Sequence, residues 1–418
     1  MLRTQQDNLL PTPYEPLPIM PGGVRALLFD LRYNGSMSSL EEKLKRIAKE
    51  SPAYRPQDDA PRPEKKSTCL HEVVEYDLEE ASGGLLCCAS EDAVRVICKS
   101  AGLEDWDITR AAFVDTETTG LAGGSGTVAF LIGLGYVSGG KFVVEQFFME
   151  DYDVEGDMLS MLCKKLRGFD WLVSFNGKCF DTPLIASRAV INRIAAPLDE
   201  MEQVDLLHGA RRIYKKRLRQ CNLQNLEKEV LGRERGEDVP GSLVPVMFFE
   251  YLRSDDFEPM RMVLEHNRRD IVSLLTLLCR MCQAVKQPEK LEHAEDLWSC
   301  GRLHERMGSL EEAERYYQRA GDGSMKELSL LLKRQGRHDE AVSLWQKMLD
   351  EGGHGLLPYA ELAKYHEHRR GDPEKALEIV ERCMVKLRAM GFTPNSAELA
   401  SFAKRRSRLL AKLDKGEC

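Results

Sequence analysis

Residues 110–121 read RAAFVDTETTGL. They begin as a short buried strand over 110–115 and run into a turn-rich loop over 116–126. Strand alternation places side chains i and i+2 on one face, so Asp115 and Glu117 project together at the strand end. Two carboxylates side by side near a core repel, and they are costly unless a cation neutralises them. The simplest such cation is Mg2+ or Mn2+, which takes oxygen donors. On its own an Asp-x-Glu pair is more often solvated loop charge, so the flanking sequence has to decide.

Downstream, residues 127–136 form an apolar run too rich in glycine for a helix and read as a second strand. Ser138-Gly139-Gly140 is a hairpin turn, and residues 141–150 (KFVVEQFFME) are a third strand. A helix is predicted over 155–167, a short strand over 171–175 (WLVSF), and a helix over 182–193 opened by Pro183. Helices continue through 205–231 and 259–285. Three antiparallel strands followed by alternating helices and strands predict one α/β domain over 108–288. Upstream lie a small extension of that core at 67–107 and an irregular leader at 1–66. The leader carries one short helix from Met37, which would itself be a natural start.

From residue 291 the pattern is helical throughout. Gly308-x-x-Glu311-Glu312-Ala313, Gly336-x-x-Asp339-Glu340-Ala341 and Gly371-x-x-Glu374-Lys375-Ala376 each follow one helix and open another. The recurrence resembles tetratricopeptide repeats over 291–415, a common platform for protein partners.

Composition bounds the rest. With 418 residues, 43% hydrophobic and 30% charged, the chain can build real cores and is neither collagen-like nor wholly disordered. No apolar run approaches the ~20 residues of a membrane span, and no secretory signal is visible, so a cytoplasmic protein is expected. A net charge of −8 argues against a surface that grips nucleic acid everywhere but leaves room for a local groove. Residues 205–235 offer one, with Arg211, Arg212, Lys215, Lys216, Arg217, Arg219, Lys228, Arg233 and Arg235 against four acids. This stretch is either a solvated face or a backbone-gripping wall with Tyr214 available for base stacking. The twelve cysteines, Cys279 and Cys282 among them, read as reduced core thiols.

Two further acidic motifs give Asp115 and Glu117 their weight. Asp181 ends Asn176-Gly177-Lys178-Cys179-Phe180-Asp181 just past a strand, where it could also cap a helix. In Glu265-His266-Asn267-Arg268-Arg269-Asp270, His266 and Asp270 are four residues apart and share a helix face ahead of an apolar run. In this order the three motifs resemble the DEDD superfamily of 3′→5′ exonucleases, which have a ribonuclease H-like fold. The whole layout is also similar to YprB-type bacterial proteins, in which such a domain precedes tetratricopeptide-like repeats.

The resemblance implies an α/β ribonuclease H-like domain of mixed sheet and flanking helices. It implies that Asp115, Glu117, Asp181 and Asp270 hold two Mg2+ or Mn2+ ions, with His266 aligned with the general base. It also implies that Thr118, Thr119, Gly120 and Leu121 touch the terminal nucleotide. Here three residues separate the histidine from the last acid (His-x3-Asp), a spacing that the superfamily's tyrosine branch uses. His266 is therefore either the base or a group that only orients water or phosphate. Asn176, Arg211, Lys215 and Arg268 complete the candidate substrate contacts, and Asp205 is an extra acid nearby. The expected activity is metal-dependent 3′→5′ exonuclease cleavage of single-stranded DNA or RNA. A nuclease-fold scaffold and a structure-selective endonuclease are the alternatives.

Overall fold

The computed structural model describes residues 68–98, 105–120, 126–236 and 238–416. The leader with its Met37 helix, and Leu121, lie outside the described residues. Six strands form one sheet: β1 (Cys69–Asp77), β2 (Ala111–Thr118), β3 (Ala129–Ser138), β4 (Lys141–Met149), β5 (Trp171–Ser174) and β6 (Glu202–Asp205), in the order β1-β4-β3-β2-β5-β6. The β1–β4, β4–β3 and β3–β2 pairs are antiparallel, whereas β5 and β6 run parallel to β2.

Three features differ from the sequence reading. The extension at 67–107, in which the sequence reading delimits no strand, supplies β1, which pairs with β4 along its whole length and forms that edge of the sheet. β2 continues to Thr118, where a loop was expected from Thr116, and its register against β3 shifts only between Glu117 and Thr118. β6 was not expected: the sequence reading leaves 194–204 unassigned and begins a helix at 205. Its four residues, EQVD, hold a single apolar side chain and are too few for period-2 patterning to show.

Helices cover both faces of the sheet. They are α1 (Leu78–Ser82), α2 (Glu91–Cys98), α3 (Glu155–Leu166), α4 (Asp181–Ile191), α5 (Leu206–Tyr214), α6 (Leu223–Glu229), α7 (Val244–Ser254) and α8 (Glu258–Lys286). Alternation along β2 divides the core. Ala111 and Phe113 join the cluster that contains Ile271, Leu274 and Leu278 of α8, while Ala112 and Val114 join the cluster with Phe130, Phe148 and Phe248. Asp115 and Glu117 continue the Phe113 face, which points them at α8. Glycines on β3 let α8 come close: a Cβ at Gly133 would lie 2.4 Å from Asn267 Oδ1, and one at Gly135 would lie 2.5 Å from Ile271 Cγ2.

The remaining helices are α9 (Ala294–Met307), α10 (Leu310–Ala320), α11 (Met325–Arg334), α12 (His338–Glu351), α13 (Leu357–Tyr365), α14 (Pro373–Ala389) and α15 (Ala397–Gly416). Gly308, Gly336 and Gly371 turn the chain with φ of +84°, +80° and +65°, a region that side-chain-bearing residues rarely adopt. Ala313, Ala341 and Ala376 are all fully buried where the paired helices meet. This region is seated on the sheet domain. Leu297, Cys300, Leu303 and Tyr316 share the core of α8, and Tyr316 Oη donates to Ala284 O at 2.7 Å. Among the described residues no helix is long and apolar enough to cross a membrane, and the cysteines are free thiols.

Candidate active site

β2, the loop after β5, and α8 bring the predicted acids together. Asp115 and Glu117 leave the end of β2 on the α8 face. Asp181 is the first residue of α4, and Thr116 Oγ1 donates to its Oδ1. Gly177 permits that approach, since a Cβ there would lie 2.6 Å from Ser174 Oγ and 2.8 Å from Asp181 Oδ2. Asp270 and His266 lie one turn apart on α8, with His266 Nε2 3.7 Å from both Asp270 Oδ2 and Glu117 Oε1.

Electrostatics mark these acids as a set. Burial pushes the Asp115 carboxyl well above the usual range, and the charges of Asp270, Glu117 and Asp181 add to it. Burial also lifts Glu117 to about 8; His266 pulls it back, while Asp270 and Asp181 push it further. Asp181 and Asp270 are raised as well, burial again the largest cause.

Four residues that the sequence reading missed organise the site. Asn267, fully buried, donates from Nδ2 to Asp115 Oδ2 at 2.9 Å and accepts from Gln146 Nε2 at 2.9 Å. Asp238 Oδ1 lies 2.7 Å from His266 Nδ1. Burial opposes the His266 charge, but Asp238, Asp270 and Glu117 outweigh it and raise the imidazole above its ordinary value. Arg235 donates to Asp270 and to both Glu227 oxygens, and reaches Asp238 Oδ2 at 2.9 Å. Glu227 is buried and also accepts from Ser273 Oγ at 2.5 Å. A cavity of about 430 Å³ opens beside this network, lined by Tyr76, Arg233, Arg235, Glu265 and Arg269.

Among the described residues, no three His, Cys, Asp or Glu side chains already converge as metal ligands. Asp115, Asp181 and Asp270 are held instead by Asn267, Thr116 and Arg235. The donor set still fits a hard divalent ion. It consists of carboxylate oxygens whose mutual repulsion Arg235 and His266 leave only partly compensated. Asp205 adds to the unbalanced charge. Its Oδ1 accepts from the Asn176 and Leu207 amides at 2.8 and 3.0 Å, while its Oδ2 is buried without a hydrogen-bond partner among the described residues.

The expected substrate contacts fare unevenly. Thr118, Thr119 and Gly120 sit at the mouth of β2 and β3, with Thr118 Oγ1 donating to Gly120 O at 2.9 Å and the Thr119 amide donating to Val128 O at 2.9 Å. Asn176 adopts a left-handed φ of +67° in the loop that delivers Asp181. Arg268 is committed to the sheet edge, engaging Gln146, Glu72 and Glu265 at 3.1, 3.4 and 3.7 Å.

The basic stretch over 205–235 divides between buried, engaged and exposed residues. Tyr214 is 2% exposed and cannot stack a base. Arg217 pairs with Asp296 at 2.8 Å and Lys216 covers the Trp298 ring, so both serve the contact with α9. Arg212 donates to Ile97 O at 2.6 Å, and Arg235 lies inside the site. Arg211 and Lys215 stay exposed, with Lys215 donating to Arg219 O at 2.6 Å.

Residues 112–282 match the family RNase_H_2 of the RNase_H superfamily, a stretch that contains all four acids and His266. Over 336 residues the chain is 33% identical to YprB of Bacillus subtilis (strain 168), a protein described as uncharacterized; the alignment covers 76% of this chain and 80% of that relative. The chain belongs to the YprB family. Its ribonuclease H-like domain suggests a hydrolase that cleaves nucleic acid, and nucleases of this fold generally use divalent metals.

The raised carboxyls give the YprB-family site a pH signature without metal. Glu117 titrates near its ordinary 4.5 when unfolded and near 8 when folded. The stability it contributes is therefore complete below about pH 4.5 and lost as pH rises towards about 8. Asp115, Asp181 and Asp270 act in the same direction. In EDTA, Tm should be higher at pH 6 than at pH 8.5, and saturating Mg2+ should shrink the gap. A Tm in EDTA that rises with pH over this window would count against the buried, mutually repelling set.

Proposed function

We propose that this YprB-family protein is a divalent-metal-dependent nuclease that trims single-stranded DNA or RNA from the 3′ end. One observation carries the reading: four half-buried carboxylates from three separate segments all titrate above their ordinary range, and His266 Nε2 lies 3.7 Å from two of them, Glu117 and Asp270. Asp115, Glu117, Asp181 and Asp270 would hold Mg2+ or Mn2+. Bound there, the ions would lower the pKa of the attacking water and neutralise the leaving 3′-oxygen.

The protein's own groups supply the rest. Asp238 fixes the His266 tautomer by accepting from Nδ1–H, which leaves Nε2 as the proton acceptor facing Glu117 and Asp270. Arg235 bridges Asp270 to Glu227 and so holds α8 against α6 while the site lacks substrate. Thr118, Thr119 and Gly120 are placed to meet the terminal nucleotide, with Leu121 following them in sequence. The order of the acidic motifs supports exonuclease action, as does their resemblance to the DEDD superfamily. The glycine-turn hairpins and buried alanines of α9–α14 support tetratricopeptide-like repeats, and through them a protein partner.

Digestion of 5′-labelled single-stranded DNA and RNA in Mg2+ or Mn2+, resolved by product length, tests this reading. A ladder shortening from the 3′ end is expected. Internal cuts would make the protein an endonuclease, and intact substrate in both metals would leave a nuclease fold used for binding alone.

A further inference from the structure

We infer that α15 and the turn packed beneath it form a docking surface for the phosphate backbone of a single-stranded nucleic acid, an inference that rests on the nuclease reading above. The chain carries a net charge of −8, yet α15 holds six Lys/Arg against Glu398 and Asp414. Lys404, Arg408 and Lys412 are each four residues apart and exposed, so they form one stripe along the helix. Each step rises about 6 Å. That repeat is close to the spacing of successive phosphates along an extended strand, the polyanion that the nuclease reading already calls for.

The stripe is held in place from below. Glu367, whose side chain has 0% exposure, accepts from Arg405 at 2.9 Å, from Arg408 at 2.7 Å and from Lys412 at 2.8 Å. Burial opposes its charge, but Arg408 and Lys412 hold the Glu367 carboxyl at about 2, so it remains an anion throughout the working range. Ion pairing for stability needs one cation per carboxylate. Here three cations are gathered on one, which leaves a local excess of positive charge with reduced side-chain freedom. Glu367 belongs to a π-helical turn, His366–Arg370, whose His368, Arg369 and Arg370 are also exposed. Such turns are frequent at functional sites. In the sheet domain Arg212, Lys216, Arg217, Arg235 and Arg268 are turned to internal partners, while Arg211 and Lys215 stay exposed on α5 and the chain just after it.

The test is fluorescence anisotropy of labelled oligo-dT with the full-length protein in EDTA, titrated across KCl concentration. Arg369→Gln/Arg370→Gln/Lys404→Gln leaves the Glu367 cluster intact and so guards against misfolding; Arg408→Gln/Lys412→Gln removes the stripe itself. Each lost contact should flatten the log–log salt slope by about 0.7, hence about 2 for the triple variant, with affinity at low salt down at least about tenfold. Turnover of a dinucleotide in Mn2+ should be unchanged. Parental slope and affinity in both variants would overturn the docking surface alone. Weakened binding of poly-glutamate with oligo-dT binding untouched would replace it with a protein-binding surface. Failure of the parent protein to bind any nucleic acid would overturn the nuclease reading as well.

Discussion

Asp115→Asn is expected to abolish the proposed divalent-dependent cleavage, a loss of at least about 10³-fold, because bound ions would supply several kcal/mol of charge stabilisation in the transition state. The variant isolates charge from packing. Asparagine keeps an oxygen at the position where Asn267 Nδ2 donates, 2.9 Å away, so the bridge between β2 and α8 can persist. What disappears is the carboxyl that burial and the charges of Asp270, Glu117 and Asp181 push upward. The metal-free variant should therefore be at least as stable as the parent at pH 8, and its dependence of Tm on pH should be shallower. Parental cleavage rates at low Mn2+ would remove Asp115 from the catalytic set. Lost activity with a strongly lowered Tm would assign it to structure instead.

His266→Ala should cost roughly 10²–10⁴ in turnover while Mn2+ affinity changes little, since the carboxylates remain. Asp238→Asn should reproduce part of the loss, about 10–100-fold, by releasing the imidazole from its fixed orientation. The pair of variants separates the two readings of the histidine. A group that only orients phosphate would raise KM at nearly constant kcat. A base would lower kcat and remove the acid limb of its pH profile. Near-parental turnover of His266→Ala across pH 6–9 would leave the carboxylates in place and move deprotonation of the water to the ions.

Asp115, Glu117 and Asp270 stand where a simple period applies, whereas Asp181, at a helix start, drew its weight only from the order of the motifs. Strand alternation puts Asp115 and Glu117 on one face, and helical spacing stacks His266 on Asp270. The same helical period could have found Asn267. It sits four residues before Ile271 on the stripe that continues through Leu274, Leu275 and Leu278, a polar residue in an apolar row. Arg235 and Asp238 left no such trace. They lie in an irregular segment between α6 and α7, where no period operates, and Arg235 was indistinguishable from the basic residues preceding it. Tyr214 misled for the opposite reason. A tyrosine among arginines and lysines looks available, but it falls on the buried face of α5, and the neighbouring Lys216 and Arg217 turn to α9. Sequence patterning located β2 to β5 but neither β6 nor β1: the burial of β1 alternates in the fold, yet its sequence, CLHEVVEYD, does not, and nothing local says that it will pair with β4.

The most direct measurement is a titration of metal-free protein with Mn2+, followed by electron paramagnetic resonance of the free ion at pH 7.5. Two ions should bind per chain, and Asp115→Asn and Asp270→Asn should each weaken or abolish that binding while circular dichroism stays unchanged. A parent protein that leaves all Mn2+ free at millimolar concentration, or isotherms identical across parent and variants, would contradict a metal site built from these four carboxylates.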